Sequence, residues 1–193
     1  MKLYKFRPLF GDWFDWIIEL IRTGQFRLSE WDKLNDPMEG YFYYDSKYED
    51  TIVLKDFLNL KKRRRICCFS KNMSDILHWA HYADSFKGVA LEIEVEKDEK
   101  KIYPVEYIGN IEDIDLGKSN PIEVLTKKIK LWKNEKEYRY IDETEDDFAQ
   151  IGIIKSVYFG TRTDINHKQE IKKVITKTYD TELDFVKNRI KKK

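Results

Sequence analysis

The apolar positions of this 193-residue chain switch repeatedly between a spacing of two and a spacing near 3.6, and few folds accommodate that alternation. A spacing of two divides side chains between the faces of a strand, and a spacing of 3.6 gathers them on one stripe of a helix. Residues 3–7 read as a strand. Asp12 then caps a helix that carries Trp13, Trp16, Ile17, Leu20 and Ile21 on one face until Gly24 stops it. Residues 25–29 alternate around Phe26 and Leu28, residues 48–60 read as a second helix, and residues 65–70 as a short buried strand. In residues 88–95, Val89, Leu91, Ile93 and Val95 point inward against a solvated face of Glu92, Glu94 and Glu96, and residues 102–108 follow as the hairpin partner. After an acidic loop at 111–120, Pro121 opens a helix to residue 132. Residues 135–141 form a strand with Tyr138 and Tyr140 on one side and Glu135, Glu137 and Arg139 on the other. A strand at 153–160 and amphipathic helices at 164–177 and 181–192 complete the chain. The expectation is an α+β fold, one domain over residues 1–193, with mixed or antiparallel sheets, helices packed around them, and a motif-bearing core at 3–160.

The segment WAHYADSFKG at residues 79–88 concentrates the chemistry. With Ser74 as N-cap and Asp75 in the first turn, Ile76, Ala80 and Ala83 fall on one packing face and His78, His81 and Tyr82 on neighbouring ones. Ser85, Phe86, Lys87 and Gly88 end the helix and open a strand. Trp79 and Tyr82 read equally as core aromatics or as the wall of a cleft. The second polar segment, NDPMEG at residues 35–40, is turn chemistry in which Asn35 or Asp36 bonds nearby backbone, while Glu39 is positioned to orient an arginine.

Charge and cysteine content narrow the function classes. Thirty-six basic residues face thirty-five acidic ones, a formal charge of +1, so there is no global electrostatic case for nucleic acid or membrane. The basic runs at 61–65 and 191–193 read as a solvated loop and a tail. No apolar run reaches membrane-spanning length and no leading signal segment is evident, which points to the cytoplasm. Cys67 and Cys68 are adjacent, so they face opposite sides of a strand and cannot pair with each other in an ordinary way. They read as small hydrophobes. A Cys68 nucleophile served by His81 lacks a third orienting group. The histidines, His78, His81 and His167, show no ligand spacing, and no metal is expected.

Arg7 in LYKFR, then NDPMEG, CCFS, WAHYADSFKG, WKNEKEYR and VYFG, occur in one order over residues 3–160. They resemble the motifs LYKYR, NDPFE, CFS, WAHYADSHKG, WxYExEYR and IYFG of a large bacterial family built on a domain of unknown function. Met38, Phe86 and Asn134 depart from that pattern, and none of these changes removes a charge. More distantly, Arg7, Ser70 and the Glu-x-Glu of Glu135 and Glu137 are similar in order to the Arg, Ser, Glu-x-Glu arrangement of ADP-ribosyltransferases. That likeness implies NAD as substrate, with Arg7 on its pyrophosphate, Ser70 by the nicotinamide ribose and Trp79 or Tyr82 as the aromatic wall. Glu137 would hold a ribose hydroxyl and stabilise the oxocarbenium-like centre, and Glu135 would position the nucleophile. The implied setting is a toxin or phage-defence effector whose acceptor, protein or nucleic acid, is open.

Two other readings stand beside it. One is a non-catalytic module that binds a nucleotide or another anion through Arg7, Lys87 and Arg139 and acts through a protein partner. The other is a hydrolase with His81 as general base, oriented by Asp36 or Asp84. A geometric criterion separates the first two: transfer needs Glu137 facing an open cavity, and a carboxylate sealed in a two-pronged pair with arginine favours binding.

Overall fold

The computed structural model describes residues 1–96 and 99–178. The expected C-terminal helix at 181–192 and the basic run at 191–193 lie outside these residues. In chain order, β1 (Lys2–Arg7), α1 (Asp12–Thr23), β2 (Gln25–Arg27), β3 (Ser29–Glu30), β4 (Tyr43–Tyr44), α2 (Ile52–Lys62) and β5 (Arg64–Ser70) lead to α3 (Ile76–Tyr82). There follow β6 (Val89–Glu94), β7 (Ile102–Pro104), β8 (Glu106–Ile108), β9 (Asp113–Ile114), α4 (Pro121–Leu125) and β10 (Lys127–Ile129). The chain continues with β11 (Glu137–Glu143), β12 (Phe148–Gln150), β13 (Ile153–Phe159) and α5 (Ile165–Thr178). The fold is α+β with largely antiparallel strand pairing; β10 with β8 and β4 with β9 are short parallel pairs. The Cα positions cluster into two compact units that interleave in sequence: residues 1–26, 69–99 and 150 onward, and residues 27–68 and 100–149.

In the first unit β6 lies between β1 and β13, antiparallel to both. A strand flanked on both edges and covered on both faces loses the two-sided pattern of a half-wet strand. Val89, Ala90, Leu91 and Ile93 are all fully buried, and Glu92 is buried with them. Glu92 is therefore no member of a solvated face. Its carboxylate accepts from the Tyr158 hydroxyl at 2.7 Å and meets the Lys2 ammonium at 2.7 Å. Glu94 is exposed, paired with Lys155. The expected hairpin from 88–95 to 102–108 does not form, because β1 and β13 already occupy both edges of β6. Helix α1 buries Ile17, Leu20 and Ile21 and ends at Gly24 as read; Gly11 rather than Asp12 precedes its first turn and supplies no side-chain cap. Phe14 of α1 stacks on His167 of α5.

In the second unit β5 and β7 flank β11, and β3 adds to β5. A core of Ile66, Leu125 and Ile141 forms beneath, each such side chain contributing roughly 1.5–3 kcal/mol on burial. The expected helix at 121–132 stops after Leu125. Asn120 caps it with Pro121 in the first turn, but residues 127–129 pair with β8 instead, so tertiary pairing overrides local helix preference. The helix expected at 48–60 begins at Ile52 behind a Thr51 cap and runs on to Lys62, which moves Lys61 out of a loop and into a buried position.

Candidate functional site

The charged residues of EKEYR form a closed network inside the second unit. In a strand, residues two apart share a face, and this puts Glu137 and Arg139 on the same side of β11. Glu135 lies outside the strand, at the end of a 3₁₀ turn. Lys136, which follows, is in the left-handed region at φ 45°, and the Glu135 carboxylate meets Lys128 in the cluster. Arg139, fully buried at 0 % exposure, donates from Nε to Oε1 of Glu137 at 2.8 Å and from Nη2 to Oε2 at 3.2 Å. Its Nη2 also reaches Oε1 of Glu39 at 2.8 Å, and Nη1 donates to the Leu125 carbonyl at 2.7 Å. Lys128 enters from β10. Its Nζ lies 2.7 Å from Glu135, 3.0 Å from Glu137 and 3.2 Å from Glu39, with the Trp132 ring 5.0 Å away. The Cys68 thiol hydrogen-bonds Glu137, whose own backbone N–H donates to the Tyr107 hydroxyl at 2.8 Å.

These contacts determine the protonation states. Burial works to raise the Glu137 carboxyl, but Arg139 and Lys128 outweigh it and bring it down to about 2. Burial pulls Lys128 down, and the three carboxylates more than reverse this, so it holds its proton well beyond the ordinary range. Glu39 is the exception: burial dominates over Arg139 and Lys128, and its carboxyl is raised. Three carboxylates face two cations, and the raised one is the carboxylate that is hardest to keep charged.

The NDPMEG loop is tied to this network at consecutive residues. Asp36 accepts from the Met38 backbone N–H at 3.0 Å, the turn chemistry expected of it, while Asn35 is exposed. Glu39 meets Arg139 and Lys128, and the Gly40 carbonyl accepts from the ammonium of buried Lys61, which sits over the Trp31 ring at 3.5 Å. Burial pushes Lys61 down to about 8.

The remaining candidates belong to the first unit. Arg7, at the end of β1, lays its guanidinium over the Trp13 ring at 5.1 Å. The Ser70 hydroxyl accepts from the Asn72 N–H at 3.0 Å and donates to the Asn72 carbonyl, a local turn. Trp79 is core: its indole N–H donates to the Met73 carbonyl at 2.9 Å, and its ring meets Phe6 edge-on and stacks on Phe86. Asp75, not Ser74, caps α3, and the packing face shifts accordingly: His78 and Trp79 are buried while Ile76 is 69 % exposed. The partly buried Tyr82 ring lies against His78 at 5.6 Å. His81 is exposed and no acid among the described residues of the first unit orients it; Asp84 is engaged with Lys87 at 3.6 Å.

After α3 the backbone takes a conformation that no glycine announces. Asp84, Ser85 and Phe86 hold φ of 44°, 51° and 70°, three consecutive side-chain-bearing residues in the left-handed region. Each costs on the order of 1–2 kcal/mol, least for Asp. Lys128 and Arg162 were not among the candidates: Lys128 stands in a segment that reads as helix, and Arg162 carries no motif. Cys68, weighed as a nucleophile for His81, instead bonds Glu137. Among the described residues there is no cluster of His, Cys, Asp or Glu able to hold a metal, and no helix long and apolar enough to cross a membrane.

Comparison with protein-family models, with curated proteins and with solved structures finds no match for this chain.

Proposed function

We propose that the chain is a non-catalytic module that binds a nucleotide or another anionic ligand and acts through a protein partner. The observation that carries this reading is the fork between Arg139 and Glu137, reinforced by Lys128. A transfer carboxylate must accept ribose hydroxyls and face developing positive charge. Both oxygens of Glu137 are already engaged inside a buried network, and breaking such a pair costs roughly 3–5 kcal/mol. Arg139 leaves the list of ligand-binding cations for the same reason, and Lys87, half-exposed in a long contact with Asp84, stays on it. His81 as a general base lacks its orienting acid, since among the described residues it makes no hydrogen bond or ion pair to Asp84, whose contact is with Lys87. The likeness to the bacterial family rests on its motifs, and two free thiols suit a cytoplasmic setting.

The test is calorimetry with NAD and ADP, with nicotinamide release followed in the same samples. Binding without release is the expected outcome. Release by the wild type that disappears in Glu137→Gln, with binding retained, would instead support ADP-ribosyl transfer.

A further inference from the structure

We infer that the left-handed turn of Asp84, Ser85 and Phe86 is the base of a diphosphate-binding site rimmed by Lys87 and Arg162; this deepens, and rests on, the binding-module reading. A helix needs only one left-handed residue to stop, and glycine supplies it without strain. Here three residues with side chains adopt it in succession, and strain held in that way requires surroundings that enforce it.

Those surroundings are visible. Within the turn, the N–H groups of Ser85, Phe86, Lys87 and Gly88 donate to the carbonyls of Ala80, Trp79, Asp84 and Ala83 at 2.8–3.1 Å. From the far side, the segment after β13 presses on it. The Arg162 N–H donates to the Phe86 carbonyl at 3.0 Å, and the Gly160 N–H and Thr163 hydroxyl both donate to the Gly88 carbonyl. Gly160 is glycine of necessity: a Cβ there would stand 2.0 Å from the Phe86 carbonyl oxygen. Gly88 is in the same position, its Cβ falling 2.1 Å from the Arg7 carbonyl oxygen.

The clamp places two exposed cations beside one turn while leaving their donors largely unused. The one hydrogen bond of the Arg162 guanidinium among the described residues is to the Ser85 carbonyl, at 3.5 Å. The Lys87 ammonium has Asp84 at 3.6 Å, an exposed pair that exchanges readily for a better anion. Ser85 and His81 are exposed as well. An arginine fork from the segment after β13, together with an ammonium and a hydroxyl from the turn it clamps, suits two linked phosphates better than one.

The experiment is ADP titration by calorimetry at low salt, where such contacts are least screened, on wild type, Lys87→Gln, Arg162→Gln and Ser85→Gly. Tenfold or greater weakening is expected in each charge variant. Ser85→Gly separates a functional turn from a merely structural one: relief of strain raises Tm by about 2–4 °C, and ADP affinity falls severalfold despite the greater stability. Wild-type binding that survives unchanged in both charge variants overturns this site and leaves the binding-module reading standing. A Ser85→Gly protein that is stabilised and binds ADP as before overturns the role of the turn. Absence of ADP binding by the wild type removes the module reading itself.

Discussion

EKEYR and WAHYADSFKG look alike as sequence, each a short mixture of charge and aromatics, yet they solve opposite problems. In EKEYR the charged groups are buried and satisfy one another: Glu137, Glu135, Lys128, Arg139 and, from the NDPMEG loop, Glu39. In WAHYADSFKG Trp79 is buried and Tyr82 and Phe86 partly so, the charged groups stay near solvent and the backbone carries the unfavourable geometry. The first region holds its own ligands; the second holds strain and spare donors. Mixed composition therefore marks an unusual environment, and only the partner of each charge tells whether that environment serves stability or recognition.

The comparison breaks most readily at Arg139. Arg139→Met leaves Glu39 and Glu137 without their main counter-charge and is expected to lose about 3–5 kcal/mol in urea denaturation. A loss under about 1 kcal/mol would mean that the network is not structural. Acid titration comes next. The folded Glu137 carboxyl lies near 2, below its ordinary value of 4.5, so its contribution is present above 4.5 and is lost as pH falls from there toward 2. That window is worth about 3 kcal/mol. Raised Glu39 works in the opposite sense, and Lys128 is constant there because its raised value acts only at alkaline pH. Glu137→Gln should flatten the acid limb of the stability curve; a limb unchanged in that variant would place the acid sensitivity elsewhere. Gly160→Ala, which drives a Cβ against the Phe86 carbonyl, should lose about 2–3 kcal/mol by thermal unfolding. Ser85→Gly should gain about 1 kcal/mol, the reverse of what removing a stabilising side chain would do. Lys87→Gln, at an exposed pair, should stay within about 0.5 kcal/mol in the same assay and report only on binding.

Much of the framework was legible where one signal dominates. The helix from Trp13 to Ile21, its stop at Gly24, and the strands ending at Arg7, Ser70 and Phe159 follow from periodicity and from a residue that cannot continue the element. The proximity of Glu137 and Arg139 was also readable, since residues two apart on a strand share a face. Partners contributed by distant segments were not legible. Glu92 alternates as a solvent-facing residue should, and is buried because β13 adds a second flanking strand and Tyr158 a hydroxyl. Lys128 stands in a stretch that favours helix, and it becomes a strand residue only through pairing with β8. The left-handed turn at Asp84, Ser85 and Phe86 contains no glycine to announce it, since it is enforced by Gly160 from another part of the chain.

The central claim, that Glu137 is a structural group and the turn after α3 the recognition element, is tested most directly on a single variant. Glu137→Gln would be measured for Tm and for ADP affinity in the same buffer. The expected result is a Tm lower by several degrees with ADP affinity within twofold of wild type. An unchanged Tm with affinity reduced tenfold or more would contradict it and return Glu137 to the ligand.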